Sequence, residues 1–262
     1  MYWLQQWLNC SNHFFMKKSC LIFGIIFLVL SVNGQARKDN PSFFFATHPP
    51  FRYQKAKISQ VIDTTIENKL MQIQVKGIKG MPVDNIRLLE LEQTAEASQI
   101  IFYQQNKVVQ KLQVPFWFRH IMPNAEIADF NADGIPDIKF RIYTGGNGSA
   151  ALLNYKVFLM SQQNKYRVFS FVDFSAEKEY DFNKDGIAEI IGCTTTNYKG
   201  HNYWVYNIYN WKNGALVMVS KDFGYPLWTK VDFKTNKVMA REIPEDIRLS
   251  TLRSFPTEYF VR

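Results

Sequence analysis

Acidic residues are missing from the first 36 positions, and cysteine is nearly missing from the remainder. The opening stretch carries Lys17 and Lys18 directly ahead of an apolar run, Leu21 to Val32, followed by the small residues Gly34 and Ala36. That order is the layout of a secretory signal peptide over residues 1–36. The run of about 12 apolar residues falls short of the roughly 20 needed to cross a bilayer, so the expectation is a cleaved leader and no transmembrane segment. Met16-Lys17-Lys18 makes a better start for such a leader than Met1. Cys20 precedes the apolar run, which argues against a lipid-modified cysteine. Cys10 and Cys20 leave with the leader, so Cys193 is the single thiol of the 226 residues that follow. One cysteine closes no internal disulfide, and rigidity must come from a core or from metal.

Other absences narrow the function. No Gly-x-Ser-x-Gly elbow, His-Glu-x-x-His pair or phosphate-cradling glycine loop is present. His48, His120 and His201, the histidines beyond the leader, sit in no ligand or nucleophile pattern and read as packing or hydrogen-bonding residues. No catalysis is expected. Beyond residue 36 there are 29 basic and 23 acidic residues, a net +6. So thin an excess reads as a solvated surface, and no nucleic-acid partner is expected.

What is abundant is β-forming sequence. Residues 37–80 read as an N-terminal linker and docking segment, with helix and strand both open over 56–80. Residues 81–262 read as a β-repeat domain with no helical period. Runs rich in β-branched and aromatic residues, such as Ser98 to Tyr103, Lys139 to Tyr143 and Tyr203 to Trp211, alternate with polar turn clusters. The last run is apolar on both faces, as a strand between two layers would be.

The chemistry lies in a nine-residue loop that occurs twice: Asp129, Asn131, Asp133, Gly134, Asp137, and again Asp181, Asn183, Asp185, Gly186, Glu189. Oxygens at positions 1, 3, 5 and 9 around a glycine at position 6 suit a hard cation, calcium best, with the carbonyl of Ile135 or Ile187 at position 7 as a further ligand. Three carboxylates this close repel one another without a cation. An EF-hand also needs a glutamate at position 12 and flanking helices. Position 12 is Phe140 in one loop and Gly192 in the other, and strands follow both. The repeat is wider than the loops: each leads through a strand and a Gly/Asn-rich segment (Tyr143 to Ser149, Asn197 to Asn202) to an aromatic strand and a polar turn. Weaker hairpin copies occur at Ile101 to Val109 and Val231 to Val238. Periods near 50 residues point to blades of a propeller or a similar stacked β array.

Asp129, Asn131, Asp133, Ile135 and Asp137, then Asp181, Asn183, Asp185, Ile187 and Glu189, resemble position by position the calcium loop of FG-GAP and VCBS repeats, the integrin-α type of β-propeller blade. The resemblance covers about residues 125–215; the Phe-Gly and Gly-Ala-Pro signatures are missing, and Glu stands for Asp at the second position 9. It implies an all-β fold of stacked hairpin repeats, a small or incomplete propeller-like array with two structural Ca2+ ions between strands. The function it implies is an exported module, secreted or periplasmic, that binds a protein or glycan without catalysis. A weaker resemblance to periplasmic lysozyme-inhibitor and immunity-type proteins implies instead an inhibitor of a cell-wall lytic enzyme. A hydrolase of surface polymers is a third reading, with no motif behind it.

Overall fold

The alternating runs become an antiparallel β structure, seen in a computed structural model that describes residues 48, 50–61, 69–90, 98–118, 120–143, 153–163, 165–173, 178–230 and 238–262. The leader over 1–36, the start of the linker, the first Gly/Asn loop and all but the end of the Val231 to Val238 hairpin lie outside the described residues. Fifteen strands occur among the described residues: β1 (Gln54–Val61), β2 (Lys69–Gln74), β3 (Asn85–Glu90), β4 (Ser98–Gln104), β5 (Lys107–Val114), β6 (Asn124–Ala128), β7 (Asp137–Tyr143), β8 (Asn154–Gln162), β9 (Lys165–Asp173), β10 (Ile190–Tyr198), β11 (His201–Lys212), β12 (Ala215–Met218), β13 (Leu227–Lys230), β14 (Val238–Met239) and β15 (Thr257–Val261). A five-residue helix, α1 (Glu245–Leu249), is too short to show a period in sequence.

Ten strands form one curled sheet, a half-barrel in the order β15-β9-β8-β7-β6-β1-β2-β3-β4-β5. Strand β1, in the segment read as linker and docking piece, pairs with both β2 and β6. It thereby joins two four-stranded meanders, β2–β5 and β6–β9, edge to edge. Stacked repeats would hold each meander as a sheet of its own; here lateral pairing links these two. The side chain of Gln110 on β5 reaches across the curl, donating to the carbonyl of Tyr166 on β9 and accepting its N–H, each at 2.7 Å. The rings of Phe102 and Tyr166 stack beside that clasp at 4.8 Å.

Inside the curl lie Ile73, Ile86, Leu88, Ile100, Phe102, Phe140, Val157 and Leu159, all essentially without solvent contact. Alternation sends the next residues of β8 and β9 outward, where Phe158, Met160, Phe169 and Phe171 meet Ile190, Tyr209, Trp211 and Leu216 of the second sheet. That sheet runs β10-β11-β13-β14, with β12 paired to the far end of β11. Strand β11 is buried on both faces, as its sequence implies. Gly192 of β10 leaves room for this packing, because a Cβ there would lie 2.9 Å from the Tyr209 ring.

Charge also lies between the sheets. Lys156 (β8) and Asp173 (β9) are fully buried and paired at 2.7 Å. Asp173 accepts the N–H of Cys193 on β10 at 2.8 Å, so the pair bolts one sheet to the other. Nearby, Lys139 lies 2.7 Å from Glu126 and 2.5 Å from Glu179, and the Tyr53 hydroxyl donates to Glu179. Burial alone would lower the Lys156 ammonium, but Asp173 and Glu179 raise it above its ordinary value. Burial alone would raise Glu179, but Lys139 and Lys156 hold it below the usual carboxylate range.

A raised lysine pKa stabilises the fold fully below the unfolded value, near 10.4, and that share is lost as pH climbs through the folded value. A depressed glutamate stabilises above about 4.3 and loses its share as pH falls. The seam therefore contributes most between these limits. Lys156→Met is expected to cost about 3–5 kcal/mol at pH 7, because it leaves Asp173 buried and uncompensated. Adding Asp173→Asn, which keeps an acceptor for Cys193, should recover much of that loss and shrink the alkaline decline. Urea unfolding at pH 7 and 10.5 checks this, and an equal loss in the single and double variants would contradict it.

Candidate metal centre

Both acidic loops wind in the same way because their side-chain acceptors capture the same backbone donors. The Asp133 N–H is shared by Asp129 Oδ1 at 3.1 Å and Asn131 Oδ1 at 3.2 Å, and the Asp185 N–H is shared by Asp181 and Asn183 at the same two distances. Gly134 and Gly186 donate to the other oxygen of Asp129 and Asp181 at 2.8 and 3.0 Å. Ile135 and Ile187 donate to Asp133 and Asp185, each at 2.8 Å. The position-6 glycines take φ +86° and +85°, a region where a side chain would be strained. Position 4 is also left-handed, at Ala132 and Lys184.

Position 9 differs from the others. Asp137 and Glu189 are fully buried, whereas Asp133 and Asp185 are exposed. One oxygen of each returns to the start of its loop, taking the N–H of Phe130 at 3.0 Å or of Phe182 at 2.7 Å. The second oxygen reaches a neighbouring strand: Asp137 accepts from the backbone of Ser161 at 2.7 Å, and Glu189 from the Asn210 amide at 2.9 Å. Ser161 and Asn210 carry no motif in the sequence. Each is a polar residue directly after apolar ones, Phe158-Leu159-Met160 and Ile208-Tyr209.

The loops also touch one another. Ala188 donates its N–H to the carbonyl of Phe130 at 2.8 Å, and a Cβ on Gly186 would lie 3.9 Å from the Ala132 methyl. Fifty-two residues apart in sequence, the two acidic turns thus form one continuous patch. Burial pushes the Asp137 carboxyl up to about 8, outweighing its two N–H partners, and the charges of Asp133 and Asp129 push it further. Glu189 rises to about 7 by burial, with Asp185 and Asp181 adding to it.

These observations test the fit of a cation. The chemistry of the donor set fits: three carboxylates and an amide oxygen per loop, with two of the acids close enough to raise the proton affinity of the third, Asp137 or Glu189. An ionised carboxylate offers about four lone-pair sites, so oxygens that accept one N–H keep capacity for an ion. The geometry falls short of a finished site, since among the described residues no three His, Cys, Asp or Glu side chains converge as metal ligands would. The carboxylates face backbone N–H groups, as in turns held by Asx bonds. The carbonyls of Ile135 and Ile187 stand at position 7 of each loop. No known protein family, curated protein or solved structure matches the chain.

Asp137→Ala is expected to destabilise by about 2–4 kcal/mol even in chelator, because the N–H groups of Phe130 and Ser161 both lose their acceptor. Asp137→Asn should cost less, since it keeps one acceptor oxygen. Denaturant unfolding in EDTA measures both, and a loss below about 0.5 kcal/mol for Asp137→Ala would contradict the assignment, as that is the size of an ordinary surface change.

Proposed function

We propose that this chain is an exported β-repeat module in which each acidic loop holds one structural Ca2+, and that it binds a protein or glycan without catalysis of its own. The observation that carries this reading is the duplication in three dimensions: two loops with matching hydrogen bonds, matching left-handed positions and a shared boundary. Turns that only needed closing would require neither three acids apiece nor contact between like-charged neighbours. Asp129, Asn131, Asp133 and Asp137 would hold one ion, and Asp181, Asn183, Asp185 and Glu189 the other, with the carbonyls of Ile135 and Ile187. When bound, the ion supplies positive charge where burial and mutual repulsion leave the acids short of it.

The repeat reading has support from register. Ile138 pairs with Leu159 after the first loop, and Ile190 with Tyr209 after the second. The following turns close at Gln162 with Lys165 and at Lys212 with Ala215. The β4–β5 hairpin closes in the same way at Gln104 with Lys107. These matched units support the repeat part of the FG-GAP and VCBS resemblance, although two meanders pair edge to edge in one sheet. The contact of segment 50–53 with the entry to the second loop, where Phe51 donates to the Glu179 carbonyl at 3.0 Å, supports a docking role for the N-terminal piece.

For a dissociation constant near 10⁻⁴ M, millimolar calcium would add about 1.5 kcal/mol per site. Asp133→Ala and Asp185→Ala should each remove that increment, lowering Tm by a few degrees in 1 mM calcium and changing it little in chelator. Differential scanning calorimetry in the two buffers measures the contrast. Equal shifts in both would mean that these acids act through the turn alone.

A further inference from the structure

Away from the loops, a groove of about 540 Å3 opens where the ends of β7, β8 and β9 meet β15 and the segment after β5. Phe116 is its buried floor, stacked on Tyr155 with ring centroids 5.9 Å apart. Trp117 and Tyr143 line it as well; Tyr143 is 46% exposed, among the most exposed large hydrophobic side chains of the described residues. Polar tips stand between these rings. The Tyr155 hydroxyl donates to Glu258 at 2.9 Å, and His120, whose carbonyl accepts the Tyr143 N–H at 3.0 Å, is exposed beside them. Glu258 is placed there by a break in β15: it takes φ +52°, and the pairing register with β9 shifts between Thr257 and Phe260. Bulges of this kind re-aim a side chain, and left-handed backbone at a non-glycine residue recurs at ligand-binding sites.

We propose that this groove binds a neutral saccharide, with Trp117 and Tyr143 against the C–H faces of the sugar rings and Glu258, His120 and the Tyr155 hydroxyl taking its hydroxyl groups. The class follows from what the lining can satisfy. A sugar ring presents an apolar face and a polar rim together, matching rings interleaved with donors and acceptors, and aromatic side chains give rigid contact area at low entropic cost. A bound peptide strand would need backbone partners, yet β7, β8 and β9 are interior strands paired on both sides, and β15, the edge strand here, is interrupted at the groove by its register shift. An organic cation would need ring faces enclosing it on several sides, whereas this groove is open and its one carboxylate already accepts a tyrosine hydroxyl. The proposal deepens the binding-module reading and uses none of its calcium ligands.

The test is isothermal titration calorimetry of the purified chain, in calcium and again in EDTA, with cellotetraose and chitotetraose. Tetramethylammonium and the tripeptide acetyl-Phe-Leu-Phe-amide serve as competing probes. At least one oligosaccharide should give saturable heat, weakened about tenfold or more by Tyr143→Ala and by Trp117→Ala, as expected for aromatic anchors. Val217→Ala, an exposed change on β12, should leave the binding intact. Circular dichroism establishes that each variant is folded, and exposed Tyr143 keeps the test decisive if Trp117→Ala is not. Sugar binding that persists in EDTA upholds the groove even if the loops hold no ion. Absence of heat with both oligosaccharides, binding indifferent to Tyr143→Ala, or heat only from the cation or the peptide would overturn the proposal.

Discussion

The carboxylate at position 9 of each acidic loop is the contact on which the surrounding structure turns. Asp137 and Glu189 begin β7 and lead into β10, so they are fixed by the sheets, yet each accepts the N–H of the aromatic residue at position 2 of its own loop. That bond closes the loop. It also delivers Phe130 into the layer between the sheets, where its ring meets Phe158 edge-on at 5.4 Å, and sets Phe182 against Tyr180 at 5.6 Å. Loop geometry and aromatic packing are therefore one constraint. A buried carboxylate performs it at the cost of desolvation, beside two further acids of the same loop.

That arrangement is the basis for proposing a cation at each loop. Without one, burial and like charge both favour protonation of Asp137 and Glu189 near neutral pH. A proton removes the charge from one acid only. A divalent ion, as proposed, would offset the charge of all three acids of a loop at once. The inter-sheet seam meets the same difficulty by another route, pairing Lys156 with Asp173 and Lys139 with Glu126 and Glu179. In the seam the counter-charge is a side chain; at the loops it would be the proposed ion.

Much of the strand structure was legible from local pattern. The turns at Gln105-Asn106, Lys199-Gly200 and Asn213-Gly214 hold left-handed residues at both central positions, which is the chemistry of short hairpins. The two loops were legible for the same reason, since spacing alone places their acids. Position 4, Ala132 or Lys184, gave no signal, because its left-handed conformation is imposed by the bonds around it. The central place of β1 was not legible either: its run, Gln54–Val61, has only Ala56, Ile58 and Val61 as apolar residues, and both its partners come later in the chain, β6 only after the whole β2–β5 meander. Nothing in the local pattern marks Lys139 and Lys156 as buried. Their partners Glu179 and Asp173 lie 40 and 17 residues away, and only the stacking of the second sheet buries them. The groove escaped notice because it gathers Trp117, Tyr143, Tyr155 and Glu258 from four separate segments, and the bulge that aims Glu258 has no signature in the sequence.

Counting ions tests the account most directly. Titrating calcium into the metal-stripped chain by calorimetry, with equilibrium dialysis against ⁴⁵Ca to count bound ions, should give two sites per chain, reduced to one by loss of Asp129 and abolished when Asp181 is removed as well. No heat and no retained calcium at millimolar concentration would contradict it, leaving two polar turns that happen to be acidic.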